Sequence, residues 1–450
     1  MELKETKNNT NEKLKSINSN NKLRKLKSDF FLQKFFSLIP YIKSLEIIKY
    51  NKYIQKRIKI SINNYKTYSE KFSLIELEIV PIKNDYSRPF IRINEEAMQY
   101  YHIYFNDNKK EEIKRTNLNE DDEVSKINII IDYQIISFSE LFIYCCIESI
   151  NFKKFYRNNI IDMSHMFEGC SLLKELNLTS FNTSNVTNMS FIFNGCSSLK
   201  ELNLSNFNTN NVIDMSFMFF GCSSLKNLNI SNFKTNNVSY MKYMFYNCSS
   251  LKELNLNNFN TNNVTYMSHM FNGCSLLKEL KLTNFNTYNV IKMNNMFSEC
   301  FSLKYLNISS FETENVIDMS YMFFNCSSLK ELNIQNFNTN NVTNMFGMFW
   351  LCSSLQELNL TNFNTNNVNN MVGMFSGCSS LKELNITNFN TNNVIDMSYM
   401  FNGCSSLKEL DFSHFNINNT TNMIDMFSGC SNELKLKIKN KYKNFKKEAF

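Results

Sequence analysis

Eleven cysteines recur every 26 residues, from Cys170 through Cys196 and Cys222 to Cys430. A fixed period of that length means one supersecondary unit stacked on copies of itself, because a unit so short cannot bury its own apolar face. The rest of the unit keeps the same register. A Met stands seven residues before each of the eleven cysteines, and a Phe three residues before. A second Met stands four residues before ten of them, with Ile192 the exception. These rows absorb 21 of the 23 methionines, and all nine glycines also fall inside the array. The repeat therefore decides most of what this chain can become.

Residues 185–210 show the logic of one unit. Met189, Ile192, Phe193 and Cys196 are spaced i, i+3, i+4, i+7, which predicts a short helix with all four on one face. Asn188 is placed to cap that helix, as are Asp162, Asp214, Asp318 and Asp396 in other units, and Gly195 to end it in a left-handed conformation. Next, Leu202 and Leu204 alternate with Glu201 and Asn203, the pattern of a short strand with one face in and one out. Parallel strands stack about 4.8 Å apart, whereas packed helices need about 8–10 Å between axes. That mismatch predicts a bend with the sheet on the concave side.

The run Leu199-x-x-Leu202-x-Leu204 matches the leucine-rich-repeat signature. With Met-x-x-Met-Phe-x-x-Cys-Ser-Ser-Leu before it and Phe-Asn-Thr after it, the unit resembles the BspA-type, or mycoplasma-lipoprotein-type, leucine-rich repeat. The likeness covers about residues 135–438. It implies a non-catalytic family whose better-known members are cell-surface adhesins. The expected fold class is α/β: a right-handed leucine-rich-repeat solenoid, or horseshoe, of eleven 26-residue coils with caps at both ends.

The organisation expected from the sequence begins with a basic, disordered tail over residues 1–28 and a small helical and β region over 29–126. In the latter, Phe31, Leu32, Phe35, Phe36 and Ile39 form one helical stripe that Pro40 breaks, and Leu45, Ile48 and Ile54 mark a second helix. The pair resembles an F-box, which would imply an adaptor-docking ubiquitin ligase receptor; the plainer expectation is a helical cap on the first strands. Residues 127–160 read as a degenerate N-terminal cap repeat, with Ile127, Ile129 and Ile131 as a strand. Residues 161–430 are the regular repeats. Residues 431–450 read as a C-terminal cap strand through Leu434, Leu436 and Ile438 followed by a basic tail.

Composition narrows the function class. The formal net charge is +7, concentrated at the ends: residues 1–28 hold eight Lys or Arg against three Glu, and residues 431–450 seven Lys against two Glu. Basic ends of this size are expected to keep a sticky array soluble, with no nucleic-acid partner. No apolar run approaches the roughly 20 residues that span a bilayer, and no secretory leader is visible at Met1, so a cytoplasmic monomer is expected, with surface display or secretion as the alternative. Cysteines at one equivalent position, flanked by Phe, Met and Leu, are expected to be free buried thiols. With four His, no tight Cys-x-x-Cys pair and no phosphate-binding loop, neither a metal, a cofactor nor an enzyme is expected. His165 and His269 are expected on the surface.

The expected function is a scaffold that docks a protein partner. A row of Glu such as Glu201 and a row of Asn such as Asn203 should line the sheet face, and breaks in such rows are the candidate contacts. Lys281 and Tyr305 interrupt the Asn and Glu rows in adjacent units. Around the only Trp in the chain, Phe346, Trp350 and Leu351 replace polar or small residues, with Phe324 as the counterpart of Trp350 one unit earlier. Such apolar anchors dominate interface energies. Local packing around Gly347 is the competing account of the Trp350 group.

Overall fold

The computed structural model describes residue 23 and residues 25–39, 41–83, 85–416 and 422–450. Most of the expected basic tail, and the break at Pro40, lie outside the described residues. The chain divides into two compact units, residues 1–74 and 75–450.

The first unit is helical. Among the described residues, short helices follow one another: α1 (Asp29–Ser37), α2 (Tyr41–Ile48), α3 (Lys52–Arg57) and α4 (Ile62–Phe72). The Ser28 side chain accepts from the Phe31 amide and Asn51 from the Ile54 amide, so each caps a helix N-terminus. The Asn51 cap splits the expected second helix into α2 and α3. Leu32, Phe36, Ile48 and Ile54 make a small core of their own. Phe31 and Phe35, expected in the same stripe, are exposed instead.

The second unit begins with strands, so residues 75–126 belong with the array and not with the helices. Strands β1 (Ile75–Pro81), β2 (Tyr101–Phe105), β3 (Ile127–Ile131), β4 (Ile147–Lys154) and β5 (Glu175–Asn177) form one sheet in the order β2-β3-β1-β4-β5. Alternate residues Ile75, Leu77 and Ile79 are buried, as are Ile127, Ile129 and Ile131. β1 is antiparallel to β3 and β4, and β4 then pairs parallel with β5, Ile150 opposite Leu176. At β4 the antiparallel cap becomes the parallel stack of the repeats.

In the repeats the inward face is as expected, but it is not helical. Met189, Ile192, Phe193 and Cys196, like their equivalents along the array, are fully buried. The backbone there is a string of tight turns. The residue five before each ladder cysteine has positive φ, for example Phe191 and Tyr243, and so does the residue just before it, for example Gly195 and Leu351. Two left-handed residues four apart are incompatible with an α-helix. The amide bonds follow suit: Asn194 N–H stays within the coil on Phe191 O, whereas Phe193 N–H donates to Met218 O and Gly195 N–H to Phe220 O of the next coil. Asn188 is no helix cap; its Oδ1 accepts from the Ser190 amide two residues on. With no helix opposite the strands, helix packing does not set any curvature.

The continuous backbone ladder lies at that same position. Parallel bridges run Ser137↔Asp162↔Asn188↔Asp214 and onward, coil by coil, to Asn422. The expected strands are shorter and form pairs: β6 (Glu201–Asn203) with β7 (Asn227–Asn229), and β8 (Glu279–Lys281) with β9 (Tyr305–Asn307). Inside, a row of Phe rings runs from Phe142 to Phe427, stacked near-parallel at 5.5–6.0 Å. All thirteen cysteines are free and buried, and each ladder thiol donates to a Phe carbonyl of the coil before, Cys196 to Phe167 O at 3.2 Å for example.

The C-terminal end corrects the sequence expectation. Residues Asn432–Lys441 form a helix, α5, and not a strand. Ser431 caps it by accepting from the Leu434 amide, Leu434 and Ile438 are buried one turn apart, and Leu436 points outward. The residues that follow are no free tail. Tyr442, Phe445 and Phe450 pack on Phe412 and Phe427, and Phe427 N–H donates to Ala449 O. Among the described residues no helix is long and apolar enough to cross a membrane.

Candidate docking surfaces

Two side-chain ladders tie the coils together. Thr183, Thr209, Thr235 and their successors are buried; Thr235 Oγ1 donates to Asn260 O at 2.7 Å and accepts from Asn260 N at 2.7 Å. The Asn two residues later in each unit donates back to the preceding coil, as Asn211 Nδ2 does to Ser184 O and Asn263 Nδ2 to Asn236 O, each at 2.7 Å. Each bond satisfies a loop backbone group that would otherwise have only water. The Asn row on the strand face also has a structural task. Asn203 Oδ1 accepts from the Ser205 amide and Asn307 Oδ1 from the Ser309 amide, closing the turn that ends each strand.

Lys281 leaves that row. Its ammonium pairs with Glu279 on the same strand at 2.8 Å. One strand on, Tyr305 replaces a Glu and stands opposite Glu279. The two breaks share one groove of about 670 Å3, lined also by Lys304, Lys330, Glu331 and Asn333. Tyr305 is 70% exposed there. So the strand face, polar throughout, carries one protruding aromatic side chain among lysines at the site where both rows break.

The other candidate residues gather differently. Phe324, Phe346 and Trp350 meet, with Tyr321, in an aromatic cluster: Tyr321–Phe346 centroids lie 4.7 Å apart, Phe324–Trp350 6.1 Å and Phe346–Trp350 6.2 Å. All are half-buried. Gly347 and Gly373 occupy the left-handed position five before their cysteines, where most units carry a ring, and Trp350 fills the vacated space. A Cβ on Gly373 would lie 2.9 Å from Trp350 Cε3, and one on Gly347 3.2 Å. Leu351 is apart from the rings and lies over Gly377, whose Cβ would come 2.7 Å from Leu351 Cδ2.

A third surface was not foreseen. His165, Phe191, Phe217, Tyr243 and His269, all left-handed, stack in one column at 4.3–4.7 Å between successive rings. Both histidines are half-buried in this column and not free on the surface. Burial pushes the His269 pKa down to about 4. Its ring nitrogens lie 3.3 Å from the side-chain amides of Asn272 and Asn294. The clue lay in the spacing: aromatic residues recur at one 26-residue phase from His165 to His269.

These features define the class as a repeat solenoid of parallel-stacked coils. The chain belongs to the family described as "Mycoplasma protein of unknown function, DUF285", whose profile matches residues 136–255, 161–281, 241–358 and 352–444, together well over half of the chain. Similar solved structures include a leucine-rich repeat protein from Eubacterium ventriosum ATCC 27560, at 14% identity over 46% of this chain and 59% of that one, with a TM-score of 0.24. Another, titled a TLR13–ssRNA13 complex, aligns at 17% identity over 55% of this chain and 44% of that one, TM-score 0.21. The functional domain of InlJ from Listeria monocytogenes, described as including a cysteine ladder, aligns at 16% over 65% and 64%, TM-score 0.18. Each alignment spans less than two thirds of the other chain, and scores this low carry nothing about partners. No curated protein matches the chain.

Proposed function

We propose that the protein is a non-catalytic scaffold that docks a protein partner on the strand face, with Tyr305 as anchor and Lys281, Lys304 and Lys330 around it. In this reading the array is a BspA-type, right-handed horseshoe of eleven coils, and the protein acts as a cytoplasmic monomer. The exposure of Tyr305 above the groove carries the reading. A lone aromatic ring on a polar face contributes contact area at low entropic cost, and surrounding lysines favour an acidic contact. The Trp350 cluster belongs to packing instead, because Trp350 takes the volume that Gly347 and Gly373 leave empty.

Proximity labelling in the native cell with three forms tests this. Neighbours captured by the wild type should be lost with Tyr305→Ala plus Lys281→Asn, and kept with Trp350→Ala, while only Trp350→Ala lowers the thermal midpoint. Loss of the same neighbours with Trp350→Ala alone would move the contact to the aromatic cluster.

An adhesin exported through a glycosylating pathway is the competing reading. Asn185, Asn237, Asn263 and Asn341 all lie in Asn-x-Ser/Thr sequons, yet each spends its Nδ2 on a carbonyl of the preceding coil at 2.7 Å. A glycan on that nitrogen would displace the ladder bond. That disfavours a glycan at these four positions, whereas Asn203, Asn307 and Asn359, also in sequons, engage only Oδ1 in their turns and leave Nδ2 open to one. A glycosidase-sensitive mass shift on the native protein would favour the adhesin.

A further inference from the structure

Charge is divided unequally between the two compact units. Residues 1–74 contain seventeen Lys or Arg and six Asp or Glu, a net +11. Residues 75–450 hold the other 31 basic and 35 acidic residues, a net −4. The whole chain's modest +7 therefore conceals a strongly basic small unit joined to a weakly acidic large one. An asymmetry of this size between parts of one chain points to a polyanionic partner for the basic part.

That same unit exposes its apolar side chains. On α1 and its C-cap residue Leu38, Phe30 is 66% exposed, Phe31 64%, Phe35 43% and Leu38 79%. Phe31, Phe35 and Leu38 are spaced i, i+4, i+7 and so share one face, with Lys34 beside them. An adjoining flank, about a third of a turn round the helix, buries Leu32 and Phe36. Lys25 and Lys27, just before the helix, are exposed as well. A short helix with one face docked on its own bundle and the other face apolar and ringed by lysines is the arrangement of a helix lying in a bilayer interface.

We propose that the helical unit docks on an anionic bilayer surface. Phe30, Phe31, Phe35 and Leu38 enter the boundary between headgroups and acyl chains, while Lys25, Lys27 and Lys34 lie against the lipid phosphates and carboxylates. The larger unit, at net −4, stays in water. The chemistry favours lipid over nucleic acid. Phosphate contacts would use the lysines, but Leu38 and the also exposed Ile62 offer no stacking face to a base, whereas acyl chains accept both aliphatic and aromatic groups. A second copy of the unit is disfavoured by repulsion between two +11 surfaces. The proposal is independent of the Tyr305 groove.

The test is vesicle flotation with the full chain. The probes are phosphatidylcholine vesicles with about a third phosphatidylserine and vesicles of phosphatidylcholine alone. Binding is expected on the anionic vesicles and should fall about tenfold or more as salt rises from low to several tenths molar, because screening removes the lysine contribution. Phe31→Glu with Leu38→Glu should abolish it at unchanged thermal midpoint, and Tyr305→Ala should float like the wild type. If the double Glu variant is less stable, Phe31→Ala with Leu38→Ala carries the same comparison. The proposal is overturned if anionic vesicles leave the protein unbound, if both vesicle types bind equally, or if binding survives both apolar substitutions. Tight binding of a mixed-sequence single-stranded oligonucleotide, with vesicles left bare, would reassign the basic unit to nucleic acid.

Discussion

Thr235 bridges two coils with one hydroxyl, donating to and accepting from Asn260 with no solvent to replace either bond. Thr235→Val keeps the volume and strands both partners, and should cost about 1–3 kcal/mol by urea denaturation, while Thr235→Ser keeps the bonds and should cost clearly less. Phe271 lies between Phe245 and Phe297, 5.7 Å from each. Phe271→Ala should cost about 3–5 kcal/mol through the cavity it leaves; a loss below about 1 kcal/mol would remove this row from the core. His269 adds a pH term of definite sign. Its folded pKa of about 4 lies below the ordinary value of 6.5, so its contribution is fully present above 6.5 and is lost as pH falls from there through 4. Solvent at the ring edge reduces the effect to about 1 kcal/mol. His269→Phe should flatten that part of the stability–pH curve.

Among the elements, the ends separate coils that stack on both sides from coils that cannot. Helix α5 covers the last coil through Leu434 and Ile438, and its Ser431 cap should be worth about 1 kcal/mol, measurable as the destabilisation of Ser431→Ala. In the sequence, Leu434, Leu436 and Ile438 fit a strand and a helix equally well. Ser431 followed by Glu433, and the i, i+4 pair of Leu434 and Ile438, were the helix-specific features, and the alternating lysines concealed them. The same ambiguity affected the repeats. Spacing of i, i+3, i+4, i+7 correctly marked Met189, Ile192, Phe193 and Cys196 as inward, because burial constrains only which way a side chain points. It could not distinguish an α-helix from successive turns that alternate bonds within and between coils. Gly195, Gly347 and Gly373 did mark the left-handed positions, but Phe191 and Tyr243 hold that conformation with full side chains, an uncommon choice that neighbouring rings stabilise by stacking. Of the candidate contacts, the closeness of Lys281 and Tyr305 in one groove was legible, since breaks in adjacent rows become neighbours in any parallel stack. The contacts of Trp350 were legible only in half: Gly347 was read beside it in the sequence, whereas Gly373, one coil on, was not.

For the whole molecule, one core runs from Ile75 to Ala449 without a break. Its thiols share that burial. Desolvation raises the Cys274 and Cys352 pKa values to about 12, so alkylating reagents should leave the ladder cysteines of the native protein unmodified at pH 8, and all thirteen should react after denaturation. Rapid labelling of a mid-array cysteine would place it outside the core. The cross-coil ladders also govern how such a chain can change through descent. The threonine, asparagine and thiol ladders span 25, 27 and 29 residues, each joining one coil to its neighbour, so a one-residue insertion in a coil throws every ladder it belongs to out of phase at once. Loss or duplication of 26 residues leaves each donor facing an equivalent acceptor. Deleting residues 241–266 as a block should therefore give a shorter folded array, while deleting Asn262 alone should be far more damaging. Heritable length changes in genes of this kind are accordingly expected in whole coils, with recombination between near-identical units as their source and the hydrogen-bond register as the filter.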